Sequence, residues 1–182
     1  MNHIRKNKKT AIINLFGGPG VGKSTAAAVI YAQMKFRGLS CEYIPEFAKE
    51  LAYTSDLDTL DNQFYVSAIQ YHRQYKLIGR VDYIVTDSPV LQGKIYNRQF
   101  AGLDNLLAEI HAKTNSINIF LRRDEDAAFE EDGRVHNYQE SVYIDMQTEK
   151  MLIEHEVHYA SVQAKDTARL IDIVFNVIGV EP

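Results

Sequence analysis

A chain of 182 residues with 46% hydrophobic content is sized for one globular domain around a single core, and 1–182 is read as one unit. A net charge of −4 speaks against a dedicated duplex-binding protein, which carries a basic surplus, while leaving room for a local basic channel. No apolar run approaches the roughly 20 residues of a membrane span, so no membrane partner is expected. The single cysteine, Cys41, excludes an internal disulfide and fits a reducing, cytoplasmic setting.

Residues 1–10, "MNHIRKNKKT", are basic and run straight into a strand pattern. They lack the apolar core and small-residue cleavage site of a secretory signal, and they read as a solvated leader, a nucleic-acid-touching arm being the lesser alternative. Ala11–Phe16 is a short apolar run ending in glycines, the mark of a buried strand. The alanine-rich stretch Ser24–Phe36 predicts a helix that Gly38 stops. "CEYIP" (Cys41–Pro45) is a second strand ended by proline, and "EFAKELAY" is helical. Asp61–Ile78 predicts a longer helix. "DYIVTD" (Asp82–Asp87) is the third strand, Leu103–Lys113 a helix, and "INIFL" (Ile117–Leu121) the fourth strand. The charged "RRDEDAAFEEDGRVHN" lacks a clean period and reads as a mobile segment. "QESVYIDMQTEKMLIEHEVHYA" is helical, and "RLIDIVFNVIG" reads as a fifth strand running into a terminal turn or helix. No repeat or linker divides the chain.

Strands alternating with helices predict a parallel sheet covered on both faces, with ligands beyond the carboxyl ends of its strands. At the first such end, Gly17, Gly18, Pro19, Gly20, Val21, Gly22, Lys23 and Ser24 fit G-x-x-x-x-G-K-[ST] fully. Glycines let the backbone turn tightly and aim N–H groups at phosphate oxygens, and the following helix offers its positive end to the same anion. Lys23 is expected at the β- and γ-phosphates of ATP, the Ser24 hydroxyl on Mg²⁺, and Thr25 at the α-phosphate. Asp87 ends the third strand, where it can hold the metal or its water shell, cap the next helix, or do both. The residue after it is Ser88 rather than a water-activating glutamate, which favours phosphoryl transfer over hydrolysis. Glu46 ends the second strand. It reads either as a helix cap or as the carboxylate that takes the acceptor's hydroxyl proton. Arg122 and Arg123 end the fourth strand and Arg134 follows. Together they read as a basic lid over 122–138 that spreads phosphoryl charge and excludes water. Acids throughout that segment allow the alternative of an exposed charged loop.

The expectation is an α/β fold of the P-loop NTPase type, in three layers. It has about five parallel strands flanked by helices and a lid after the fourth strand. The motifs "GGPGVGKST", "EYIPEFAKE", "IVTDSP" and "FLRR…DGR" together resemble the P-loop kinases of nucleosides and nucleotides, closest to the ribosylnicotinamide-kinase-like branch and its phage-encoded relatives. The resemblance implies Glu46 on the acceptor side, Asp87 at metal or acceptor, and an arginine lid. It implies an ATP-dependent phosphotransferase acting on a hydroxyl of a nucleoside- or nucleotide-like acceptor. Some phage relatives phosphorylate 5-hydroxymethyl-uracil in DNA, so modified DNA is an alternative partner. Lys94 and Arg98 in "GKIYNRQF" favour that alternative and the acidic net charge opposes it. Phe47, Tyr53, Phe64 and Tyr71 could stack on a base, or simply belong to the core.

Other readings fit less well. A GTPase switch needs Asn-Lys-x-Asp, and Gln163-Ala164-Lys165-Asp166 does not match. A regulatory P-loop ATPase lacks an added helical domain with an arginine finger. "HEVH" (His155–His158) has its histidines three apart, not the four of a zinc-protease helix. A nucleotide-holding module without activity is opposed by Glu46 and the arginines.

Overall fold

The protein is described by a computed structural model that covers residues 9–124 and 136–180. Five strands form one sheet: β1 (Ala11–Phe16), β2 (Cys41–Ile44), β3 (Tyr83–Thr86), β4 (Asn115–Arg122) and β5 (Ala160–Gln163). Their order is β2-β3-β1-β4-β5 and each neighbouring pair is parallel. Helices make the crossovers: α1 (Lys23–Phe36), α2 (Phe47–Tyr53), α3 (Leu57–Asp61), α4 (Gln63–Tyr75), a 3₁₀ turn (Val90–Gln92), α5 (Gly93–Tyr96), α6 (Ala101–Lys113), α7 (Tyr138–Glu154) and α8 (Thr167–Ile178). The expected α/β sheet with helices on both faces is what the chain forms.

β1 is buried along its whole length, so alternate residues feed two cores. Ile13 and Leu15 point with Val85, Ile119 and Leu121 into a core closed by Ala27, Ile30 and Met34 of α1 and Leu170, Val174 and Phe175 of α8. On the other face Phe16 and Phe120 pack with Leu91, Met151 and Leu152, while Ile12 packs with Ile44 and Ile84. Asn14 interrupts the apolar run without leaving its amide unpaired. It is in register with Asn118 and donates to that residue's Oδ1 at 3.1 Å.

The end of the chain departs from expectation. "RLIDIVFNVIG" does not form the fifth strand; it forms α8. Leu170, Val174 and Phe175 recur at helical spacing and are fully buried, which a two-residue period could not achieve. Asp166 caps the helix by accepting from the Arg169 N–H at 3.0 Å, and Gly179 closes it at φ 70°. The fifth strand is "ASVQ", an edge strand that buries only Val162. The helix expected to reach Ala160 ends at Glu154, where Val157 N–H turns back to the Leu152 carbonyl. The helix expected over Asp61–Ile78 starts at Gln63, capped by Asn62, and ends at Tyr75. Most of the expected lid, with Arg134, lies outside the described residues. No described helix is long and apolar enough to cross a membrane.

Candidate active site

The site grows from the carboxyl ends of β1, β3 and β2, the three strands that follow one another in the sheet. Between β1 and α1 the chain wraps through Gly17–Gly22. Gly20 and Gly22 stand at φ 77° and 103°, conformations that any Cβ would strain. Gly18 is needed for a different reason: a Cβ there would lie 2.4 Å from the Ser141 carbonyl oxygen and 2.8 Å from Asp145 Oδ1. The loop is thus pressed against α7. Its Gly18 N–H donates to Asp145 Oδ1 at 2.5 Å, and Gln92 Nε2 donates to the Gly17 carbonyl at 2.7 Å.

Lys23 begins α1 and is only 9% exposed. Its ammonium folds over the loop, donating to the carbonyls of Gly17 and Gly18 at 2.8 Å each. Burial lowers its pKa, and the carboxylates of Glu46, Asp87 and Asp145 pull the other way. Ser24 follows, half-buried, whereas Thr25 is exposed.

Asp87 sits one residue beyond β3 and is 1% exposed. Its Oδ2 accepts from the Tyr43 hydroxyl at 2.8 Å, while Oδ1 is buried with no hydrogen-bond partner among the described residues. Tyr43 also meets the Ser24 side chain; burial and the neighbouring Asp87 charge raise its pKa. An orphaned carboxylate oxygen on Asp87 and the Ser24 hydroxyl, both residues in contact with Tyr43, are oxygen ligands of the kind a Mg²⁺ ion takes, completed by waters and phosphate oxygens rather than a protein cage. Among the described residues no group of three or more His, Cys, Asp or Glu forms such a cage.

Glu46 stands at the N-cap position of α2 but its side chain makes no cap hydrogen bond. Its carboxyl is near enough to Lys23, Asp87 and Lys49 for each to act on its charge. Burial raises its pKa above the usual carboxylate range; Lys23 opposes that shift and Asp87 reinforces it.

The arginines separate. Arg123 lies against the loop, donating from Nε to Asp145 Oδ2 at 2.8 Å and from Nη2 to the Pro19 carbonyl at 2.8 Å. Arg122 turns away to a two-pronged pair with Glu149 and to Ser161 Oγ at 2.9 Å, over the Phe120 ring.

Three participants were missed by sequence reasoning. Asp145 braces both Gly18 and Arg123; the only trace of it is a stripe of Ser141, Asp145 and Thr148 at helical spacing in a segment taken for an ordinary helix. Gln92 holds Gly17. Tyr96 lies close to Gln92, with Glu46 and Asp145 near enough to act on its charge; burial raises its pKa. No motif marks either of the last two. Nearby, Phe47, Leu51 and Tyr65 line a cleft of about 460 Å³ with Asp56 and Asp58 among its walls.

Solved structures share this architecture. Deoxyadenosine kinase from M. mycoides with products dCMP and a flexible dCDP bound superposes with a TM-score of 0.58 at 19% identity, over 92% of this chain and 98% of that one. The same kinase with bound dATP gives 0.59 at 17%, over 92% and 99%. NadR in complex with NR gives 0.68 at 15%, over 98% of this chain but 54% of that one, so the chain spans about half the length of NadR. At these identities the likeness is one of fold. No curated protein sequence matches the chain. A family model described as AAA domain matches residues 12–169, most of the length, and the protein therefore belongs to the AAA domain family.

Proposed function

We propose that the protein is a phosphotransferase that moves the γ-phosphoryl group of ATP to a hydroxyl of a nucleoside- or nucleotide-like acceptor. The observation that carries this reading is Glu46, a half-buried carboxylate at the end of β2 that makes no cap bond to its own helix and whose raised pKa registers both Lys23 and Asp87. A carboxylate so placed suits general-base work on an acceptor hydroxyl better than it suits stability. The fold shared with deoxyadenosine kinase and NadR supports the same acceptor class.

In this reading the N–H groups of Gly20, Val21, Gly22 and Lys23 and the N-terminal end of α1 hold the donor's phosphates. Lys23 leaves the Gly17 and Gly18 carbonyls and moves its charge onto the β- and γ-phosphates. Ser24 and Asp87 would hold Mg²⁺, which supplies charge neutralisation between the phosphates. Arg123 exchanges the Pro19 carbonyl for phosphoryl oxygens while Asp145 keeps its guanidinium in place. Arg134 lies outside the described residues, and Arg122 acts on the α7–β5 side. Glu46 accepts the proton of the acceptor's hydroxyl as the hydroxyl oxygen bonds to the γ-phosphorus, and the bond from that phosphorus to the β–γ bridging oxygen breaks, with ADP leaving. The acceptor's ring lies in the cleft against Phe47 and Tyr65.

Modified DNA is the less supported acceptor. Asp56 and Asp58 face the cleft and repel a phosphodiester backbone. Lys94 is bonded to His155 and Arg98 Nη1 to the Ile95 and Asn97 carbonyls, which orients both cations of "GKIYNRQF" without neutralising them.

The test is transfer of labelled γ-phosphate from ATP. The acceptor panel holds nucleosides, nucleoside monophosphates, ribosylnicotinamide, and DNA with and without hydroxymethyl-uracil. Label on a nucleoside or nucleotide supports the reading; label on DNA alone moves the acceptor assignment; label as free phosphate alone replaces a kinase with a hydrolase.

A further inference from the structure

Helix α4 carries an unusual buried face. Gln63, Ser67, Gln70 and Gln74 recur every three or four residues, and all are buried, where an amphipathic helix normally places aliphatic side chains. Burying an amide is unfavourable unless its hydrogen bonds are made; Gln63 Nε2 donates to Ser67 Oγ within the helix and Gln74 Nε2 has no partner among the described residues, whereas the bonds of Gln70 leave the helix. Gln70, 3% exposed, reaches across to the junction between β2 and α2. Its Oε1 accepts from the Phe47 N–H at 3.1 Å, and its Nε2 lies 3.4 Å from the Pro45 carbonyl oxygen. Those two backbone groups flank Glu46 on either side. The same Nε2 is 3.5 Å from Thr86 Oγ1. Thr86, fully buried, donates to the Ile44 carbonyl at 3.0 Å and accepts from the Ser88 N–H at 3.2 Å. Ser88 and Thr86 flank Asp87.

We propose that Gln70 and Thr86 form one positioning clamp that fixes the strand ends bearing Glu46 and Asp87 relative to each other. Neither residue touches the reacting atoms. Gln70 grips the backbone around Glu46, Thr86 grips the backbone around Asp87, and the two grip each other. Such a clamp is needed because α2 gains nothing from Glu46 as a cap: with no cap bond to hold it, the Glu46 backbone could swing and carry the carboxyl away from Lys23. A displacement of about 1 Å at a reacting group lowers rates by roughly 10²-fold. The proposal rests on the reading of Glu46 and Asp87 as site carboxylates, but the coupling itself can be read without turnover.

The primary measurement is amide hydrogen exchange in Gln70→Leu, Thr86→Val and Thr86→Ser. A clamp predicts that Gln70→Leu deprotects Ser88 N–H, which is bonded to Thr86 and not to Gln70. It predicts that Thr86→Val deprotects Phe47 N–H, bonded to Gln70 and not to Thr86, and that Thr86→Ser, which keeps the hydroxyl, leaves both protected. Deprotection confined to the directly bonded amide in each variant overturns the clamp. Steady-state kinetics supply the second readout. Gln70→Leu and Thr86→Val each lower kcat by roughly 10–100-fold, the range for removing a group that orients a site residue. The KM for ATP stays within about twofold, and the double variant loses no more than the worse single one. Losses that multiply in the double variant, an ATP KM rising in parallel, or an unchanged kcat overturn it. Circular dichroism identifies a variant that fails to fold, in which case the Thr86→Val and Thr86→Ser pair decides. A wild-type protein that labels no acceptor sinks the functional reading alone, since the exchange pattern still decides the coupling.

Discussion

At the scale of single residues, Lys23 is buried and Glu46 half-buried, their opposed charges act on one another, and desolvation moves the pKa of each. Lys23→Ala removes the cation that meets the donor's terminal phosphates. Transfer is expected to fall by at least about 10², the range for losing one preorganised charge stabiliser, with circular dichroism unchanged. Glu46→Gln is expected to lower kcat by roughly 10²–10⁴-fold. Because the Glu46 pKa is raised, the acid limb of the kcat profile lies above the ordinary carboxylate value of about 4.3, and activity falls as the pH drops through that raised value. Stability carries the opposite sign. The folded state disfavours the ionised carboxylate, so ionisation between the ordinary and the raised value weakens the fold as pH rises. Glu46→Gln therefore melts above wild type at neutral pH, and the difference shrinks as pH falls toward 4. Melting curves of both proteins at several pH values check this. Lys23, Ser24, Glu46 and Asp87 could be marked in the sequence because each follows a strand in a position that a phosphate loop makes meaningful. Asp145, Gln92 and Tyr96 could not, because they reach the loop only after the helices have packed.

At the scale of elements, the phosphate loop is held as much by α7 as by its own strand. Asp145 joins the Gly18 N–H to Arg123, and the Arg123–Asp145 pair is largely buried, at 10% and 15% side-chain exposure. Asp145→Ala leaves one buried donor and one buried cation short of their acceptor, an expected loss of roughly 1–3 kcal/mol measured by denaturant unfolding. Gly18→Ala drives a methyl group into the Ser141 carbonyl. Its expected cost is also roughly 1–3 kcal/mol, together with weaker nucleotide binding because the loop must back away from α7. Legibility at this scale followed periodicity. β1, α1, β2, β3 and α6 were readable because their apolar spacing or flanking glycine and proline was unambiguous. α8 was mistaken for a strand because Ile171, Ile173, Val174 and Val177 are β-branched. Propensity pointed to a strand, and a helical stripe packed on α1 overrode it. The real fifth strand escaped notice because an edge strand with one buried residue carries almost no pattern.

At the scale of the molecule, ligand occupancy and folding are tied through the site. A donor nucleotide at 100 times its dissociation constant is expected to stabilise the protein by about 2.7 kcal/mol. For a chain of this length that is a rise in melting temperature of roughly 5–10 °C. Differential scanning calorimetry with ATP and Mg²⁺ tests it, and Lys23→Ala should abolish most of the shift.

The sheet order has a further consequence for how the molecule is made. Ala11 is in register with Tyr83 on one side and Asn115 on the other. The first of the five strands in chain order is thus paired with the third and the fourth, and every pairing needs a long crossover. Until β4 emerges, β1 has an open edge of unpaired amides and carbonyls, the feature by which nascent chains aggregate. A ribosome-bound fragment stopped before Asn115 would carry the whole phosphate-loop sequence and still retain no nucleotide, whereas one extended past Glu154 would.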